Sequence, residues 1–380
     1  MNVAGTLGAE VRAVRNDSDR ADLEAWLCQP RRALAVDVET CGLGWHDPIR
    51  LVQFGDCEVG WAIDPEQYPH LIHGTLVNAP RLVAHNSGFD LPRLAQLIAP
   101  NDPKPLLDQL ARRCWDTKLI SHVLDPRGPE TGAVGHSLKP LCDAHVAGGS
   151  SDGQRALKER FRELGLTAAD GFAQIPIWDP IYWQYGCLDT VLTARLLEVL
   201  GPQIHQRGLG DLATFEHDVA RLCMAMSITG IAIDLPLAYA WDSDLDAIQK
   251  HHAEVAASLG VVNPNSNQQV ATALTERGVS LDEVTASGQP RVDKKVLERA
   301  NDPLADAVLG YKKAAKNAAQ LNTIIGHAEV DGRVRPNINS LKAVTARMSI
   351  VEPALQTIPP DMRAMFLADE GQTWVSADYA

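Results

Sequence analysis

Two rhythms of apolar and polar positions divide this chain into strands and helices. Leu34-Ala-Val-Asp37-Val-Glu39-Thr40 is apolar except for two acids two residues apart, and it runs into Cys-Gly-Leu-Gly, which predicts a strand ending in a loop. Residues 49–54 and 59–63, separated by Gly-Asp-Cys-Glu, predict an antiparallel hairpin that continues this strand into a meander. Arg81-Leu-Val-Ala-His85 predicts a buried strand and residues 88–98 a helix, with Phe89, Leu94, Leu97 and Ile98 near helical spacing. Helical periodicity also marks residues 17–26, 115–124, 136–145, 154–164 and, most strongly, 183–197, with breaks at Asp125-Pro-Arg-Gly-Pro and Gly148-Gly. The class is therefore mixed α/β as far as Gly201-Pro202. An amphipathic helix at residues 215–226 then opens a second, mainly helical unit.

A chain of 380 residues has the length for two or three domains of about 150 residues each. Its 45% hydrophobic and 22% charged residues are the balance of an ordinary soluble protein. Residues 1–20 carry mixed charge without the apolar run of a signal peptide, and no stretch approaches the roughly 20 apolar residues of a membrane span. These features predict a cytoplasmic protein with no membrane partner. Seven cysteines form no Cys-x-x-Cys pair, and their odd number without a secretion segment predicts reduced thiols, which sets zinc and disulfides aside. The formal net charge of −13 argues against a surface that grips nucleic acid all round. Charge is uneven, however: residues 291–363 carry twelve Lys or Arg against eight Asp or Glu, so a basic C-terminal part, nearer to phosphates, follows an acidic N-terminal one.

Asp37 and Glu39 are the first candidates for chemistry. Side chains at i and i+2 of a strand share a face, so the two carboxylates emerge side by side and repel unless a cation or a proton lies between them. Hard oxygen donors favour Mg²⁺ or Mn²⁺. Asn86-Ser-Gly-Phe89-Asp90 marks a strand end and a helix start, where Asp90 could face that pair, or where Asn86 or Asp90 could simply cap the helix. Tyr185 and Asp189 are four residues apart, one helical turn, with Leu188, Leu192, Leu196 and Leu197 as an apolar stripe; the same pair could be a structural hydrogen bond.

Taken together, Asp-x-Glu, Asn-x-x-Phe-Asp and Tyr-x-x-x-Asp resemble, in order and type, the three exonuclease motifs of the tyrosine-bearing branch of the DEDD nuclease superfamily. The stretches from Trp115 and from His136 are similar to the helices between its second and third motifs. This resemblance implies a ribonuclease H-like fold, a mixed sheet flanked by helices. It implies that Asp37, Glu39, Asp90 and Asp189 hold two Mg²⁺ or Mn²⁺ ions about 3.5–4 Å apart, while Tyr185 orients the attacking water. Leu43 matches the family's wedge beside the terminal base, and Asn86 and Phe89 would meet the frayed 3′ end of single-stranded DNA by sequence-tolerant contacts.

The second half resembles the start of the polymerase domain of family A DNA polymerases. Thr229-Gly-Ile-Ala-Ile-Asp234 is similar to that family's opening turn, Asn263-Pro-Asn-Ser-Asn-Gln-Gln to its thumb segment, and Tyr311-Lys-Lys-Ala-Ala-Lys316 to its basic helix. Thr345-Ala-Arg347-Met-Ser349 with Leu355-Gln356-Thr-Ile-Pro359 matches a motif in which Arg347 and Gln356 would contact primer and template; Ala346 and Ile350 depart from a glycine and a serine. Asp378 falls at the family's first palm metal ligand. The organisation implied is an N-terminal lead-in (1–29), a 3′-5′ exonuclease domain (30–203), and thumb with partial palm (204–380). The function implied is proofreading by a DNA polymerase I-like enzyme in a bacterial cell or a virus-infected host, releasing nucleoside 5′-monophosphates. With the palm strands after Asp378 absent from the sequence, residues 1–380 are expected not to polymerise DNA unless a complementary polymerase chain or replication proteins complete them. The last forty residues are expected to pack poorly, with Val375-Ser-Ala an unpaired strand edge. The alternatives are a free-standing DEDD-type exonuclease acting on DNA or RNA, and a non-catalytic DNA-binding relic.

Overall fold

The computed structural model describes residues 7–146, 148–281, 283–284 and 288–377. The chain folds as two units: one takes the residues up to Thr229 together with Arg335–Glu352, and the other takes Gly230–Val334 and the residues from Pro353 onward. Asp378 lies outside the described residues.

The first unit is built on a six-stranded mixed sheet: β1 (Glu10–Val14), β2 (Leu34–Thr40), β3 (Ile49–Gly55), β4 (Val59–Ile63), β5 (Leu82–Ala84) and β6 (Cys114–Asp116), in the spatial order β1-β4-β3-β2-β5-β6. β2, β3 and β4 form the expected antiparallel meander, while β5 joins β2 in parallel and β6 joins β5 likewise. β2 is buried on both faces apart from partial exposure at Asp37, which explains its near-continuous apolar run. Its pairing with β3 slips between Glu39 and Thr40, an irregularity of the kind that re-aims side chains at the end of a strand. One face of the sheet packs on a core that includes Val36, Val38, Phe54, Trp61, Leu91 and Leu94. Another core, with Ala35, Val83, Leu188, Leu192 and Leu196, seats the long helix Pro180–Gln206. That helix lies close against the hairpin: a Cβ built on Gly60 would stand 2.5 Å from the Cys187 carbonyl oxygen, so the absence of a side chain there permits the contact.

Several boundaries differ from those the sequence predicts. Residues 10–27 are not a lead-in: β1 pairs in parallel with β4, and the helix Asp17–Leu27 sends Leu23 and Trp26 into the core. The stretch from Trp115 begins as strand β6 and turns helical only at Thr117, because Asp116 accepts from the Lys118 amide and caps the helix Thr117–Leu124. Gly201-Pro202 does not end a domain. Leu200 and Ile204 are buried on the same core, which carries the helix through Pro202 to Gln206, and the following helix Gly210–Thr229 still belongs to the first unit. A hairpin of β9 (Asn337–Asn339) and β10 (Ser349–Val351) completes this unit, packing against the helices Ser87–Ile98 and Gly210–Thr229. In its loop Ala346 has φ 56, so the position where the family carries glycine keeps a left-handed backbone with an alanine on it.

The second unit joins β7 (Ile231–Ile233), β8 (Arg333–Val334) and β11 (Phe366–Leu367) in an antiparallel sheet with β7 central. The long helices Leu235–Ser258 and Pro303–Ala328 pack on each other. Ser266 caps the helix Asn267–Glu276, and Asn267 accepts from Lys312 at 3.2 Å, so two stretches matched separately to the polymerase family meet in this unit. Residues 373–377 form no strand and Val375 is 82% exposed, so the expected strand at Val375-Ser-Ala is not present among the described residues.

Candidate active site

The three motifs converge because each sits at a fixed place on the sheet of the first unit. Asp37 and Glu39 lie on β2; Asp90 is in the first turn of the helix Ser87–Ile98, which follows β5, the parallel neighbour of β2; Tyr185 and Asp189 lie on the helix Pro180–Gln206, which crosses β2, β3 and β4. Glu39, Asp90 and Asp189 are buried. Asp37 and Asp90 share a hydrogen bond. Burial pushes the Asp37 carboxyl up to about 6 against the pull of Lys139. Burial and then the charge of Asp37 raise both Glu39 and Asp90 well above the usual carboxylate range. Asp90 therefore holds the shared proton and donates to Asp37. The Tyr185 hydroxyl is also held up, by burial and by Glu39 and Asp37, so it is a neutral donor at ordinary pH and not a base.

An ammonium stands among these acids. Lys139, on the helix Leu138–His145, pairs with the Asp189 carboxylate, lies 4.8 Å from the centre of the Tyr185 ring, and feels the charges of Asp37 and Glu39. Burial draws it down to about 8. Among the described residues no group of three or more carboxylate, imidazole or thiol side chains is arranged to hold a metal ion as it stands. The acids are instead held by a proton and by Lys139. A set of oxygen donors whose repulsion needs a compensating cation does suit a hard divalent ion, for which Asp37, Glu39, Asp90 and Asp189 are the candidate ligands.

The predicted contacts to the terminal base are built around Arg93 and Asp116, neither of which stands out in the sequence. Leu43 projects from the loop after β2 and is 68% exposed. Its loop is tied down by Arg93, whose Nη2 donates to the carbonyls of Leu43 at 2.8 Å and Gly44 at 3.1 Å; Nη1 donates to the Phe89 carbonyl, and the guanidinium lies 3.7 Å from the Phe89 ring centre. Asn86 makes no side-chain cap. It adopts φ 80, and its side-chain oxygen accepts from Lys118 Nζ at 2.8 Å. Asp116 fixes that turn by accepting from the amides of Asn86, Ser87 and Lys118 and from the Ser87 hydroxyl at 2.7–3.0 Å. Against burial, which raises it, the neighbouring His85 and then hydrogen bonds of this kind keep the Asp116 carboxyl below its usual range. Arg347 is exposed in the β9–β10 loop of the first unit, and Gln356 is exposed in the second.

Comparison with known proteins gives two family matches: the 3′-5′ exonuclease family over residues 13–205 and DNA polymerase family A over residues 237–380. A DNA polymerase of Mycobacterium phage D29 is 28% identical over 97% of this chain and 63% of its own length. The DNA polymerase DpoZ of Vibrio phage phiVC8 is 33% identical over 52% of this chain and 35% of its own, and DNA polymerase I of Aquifex aeolicus is 28% identical over 91% and 58%. The chain thus spans less than two thirds of these relatives' length. Among solved structures, the POL domain of Pol1 from M. smegmatis in complex with DNA primer-template and dNTP superposes with a TM-score of 0.67 at 19% identity, over 96% of this chain and 59% of that one. That likeness concerns the fold.

Proposed function

Because the chain belongs to the family A DNA polymerases and carries their 3′-5′ exonuclease domain, we propose that its first unit hydrolyses the terminal phosphodiester at the 3′ end of DNA and releases nucleoside 5′-monophosphates. The observation that carries this reading is the convergence of Asp37, Glu39 and Asp90 with Tyr185 beside them, joined to Asp189 through Lys139. Mg²⁺ or Mn²⁺ bound by these carboxylates supplies activation of water and charge stabilisation at the phosphoryl oxygens. The residues do the rest. Tyr185 donates its hydroxyl proton as a hydrogen bond and orients the attacking water. Leu43 and Phe89, held by Arg93, offer apolar faces to an unpaired terminal base, and Asn86, fixed by Asp116 and Lys118, presents polar groups beside them. A mispaired end enters more readily because less unpairing energy is needed.

In this reading the second unit belongs to the primer–template grip of a DNA polymerase working in the cytoplasm, with Gln356 as a DNA contact and Asp378 as a palm metal ligand, and Arg347 in the β9–β10 loop of the first unit is a further DNA contact. Among the described residues no helix is long and apolar enough to cross a membrane. Single-stranded DNA and RNA labelled at the 5′ end and incubated with and without Mg²⁺ provide the test. Mg²⁺-dependent stepwise shortening of DNA from its 3′ end, lost in Asp37→Ala, is expected. Shortening of RNA in preference to DNA favours a free-standing ribonuclease, and no shortening of either refutes the assignment.

A further inference from the structure

Lys139 has no part in the hydrolysis just described, yet its side chain lies inside the acid cluster. The residue is 7% exposed, so its ammonium has given up most of its hydration, which is unfavourable unless fixed negative charge replaces the water. An ordinary structural ion pair would need one partner. This ammonium pairs with Asp189, feels Asp37 and Glu39, and faces the Tyr185 ring, so it stands where the same oxygens would hold a divalent ion. Two cations close together in one cluster of anions must compete for it.

We propose that Lys139 is a resident cation of the nuclease site: its ammonium holds the carboxylates together when no divalent ion is bound and competes with the ion that Asp189 would ligate. Lys139 is on this account a positioning residue that sets the ion concentration at which the site fills. The inference rests on the metal-dependent reading above. It predicts that neutralising the side chain tightens ion binding and weakens the ion-free protein, whereas keeping the charge does neither.

Calorimetric titration of the 380-residue chain with Mn²⁺, as wild type, Lys139→Met and Lys139→Arg, tests this. Lys139→Met is expected to bind Mn²⁺ about tenfold tighter or more, and Lys139→Arg to stay within about threefold of wild type. In EDTA the Met variant is expected to melt below wild type, with the gap closing or reversing in saturating Mn²⁺. Unchanged or weaker Mn²⁺ binding by folded Lys139→Met overturns the proposal. Should that variant not fold, the wild type decides: its Lys139 ¹³Cε resonance, identified by its absence from the Lys139→Arg spectrum, is expected to move on adding Mg²⁺, and a stationary resonance overturns the proposal equally. Failure of all three proteins to bind Mn²⁺ would sink the metal-dependent reading itself, whereas equal binding by all three sinks only the role of Lys139.

Discussion

Asp37 and Asp189 belong to one cluster, but their removal has different consequences. Asp37 is held against burial and shares a proton with Asp90, so Asp37→Ala relieves crowding among acids. Asp189 is the partner of a buried ammonium, and Asp189→Ala leaves Lys139 without it. Loss of nuclease activity is expected in both. Melting in EDTA should separate them, with Asp37→Ala as stable as wild type or more so and Asp189→Ala weaker by about 3 kcal/mol, at the lower end for a broken buried pair. Tyr185→Phe keeps the ring over Lys139 and removes only the hydroxyl. Turnover, rather than substrate affinity, should fall by about 10²–10³-fold, the size of one positioned hydrogen bond, and unchanged turnover in a single-turnover assay would reduce Tyr185 to packing. His85 gives a further pH dependence, in a buried setting where Asp116 favours its charged form and Lys118 and Lys139 oppose it. Its ring nitrogens meet the Thr117 hydroxyl at 2.9 Å and the His136 carbonyl at 3.0 Å, and burial lowers it from 6.5 to about 4. The unfolded chain therefore takes up a proton that the folded one refuses. Stability tied to His85 is complete above about 6.5 and drains away as the pH falls towards about 4. Denaturant midpoints measured across that range should fall less steeply for His85→Gln than for wild type.

Secondary-structure elements explain why some of the site could be read from the sequence and some could not. Asp37 with Glu39, and Tyr185 with Asp189, are legible because strand and helix periods place such pairs on one face whatever the rest of the chain does. Lys139, Arg93 and Asp116 are not, since each draws its role from a partner distant in sequence: Asp189, the Leu43 carbonyl and the Asn86 amide respectively. β1 escaped because Glu-Val-Arg-Ala-Val is a short edge strand whose alternating charges read as surface, and only its pairing with β4 places it in the sheet. The β9–β10 loop shows a departure from the family and its cost in one place. Ala346 at φ 56 sits in a region that is strained for any residue with a Cβ. Ala346→Gly should release about 1–2 kcal/mol of that strain against a smaller loss from the more flexible unfolded chain. A rise in the melting temperature of the first unit, in the absence of DNA, would confirm it.

At the scale of the whole molecule, the order of motifs along the chain was legible but the unit boundary was not. The sequence places a division after Gly201-Pro202, where glycine and proline interrupt the apolar pattern. The fold places it after Thr229, because Met224 and Ile228 on the helix Gly210–Thr229 belong to the core beneath β2. Nor is the first unit one continuous stretch, since Arg335–Glu352 returns to it. From that hairpin Arg335 reaches the face of Trp45, in the loop that also carries Leu43, with its guanidinium 5.8 Å from the ring centre.

That return stroke imposes an order of events on biosynthesis. A ribosome adding about 5–20 residues per second needs roughly 6–25 s to travel from Thr229 to Glu352. During that interval the helices Ser87–Ile98 and Gly210–Thr229 have emerged without the β9–β10 hairpin that packs on them. The nascent nuclease unit is therefore finished only after most of its neighbour has been translated, and a chaperone or a protease meeting the chain in that window would find the Trp45 loop without its last support.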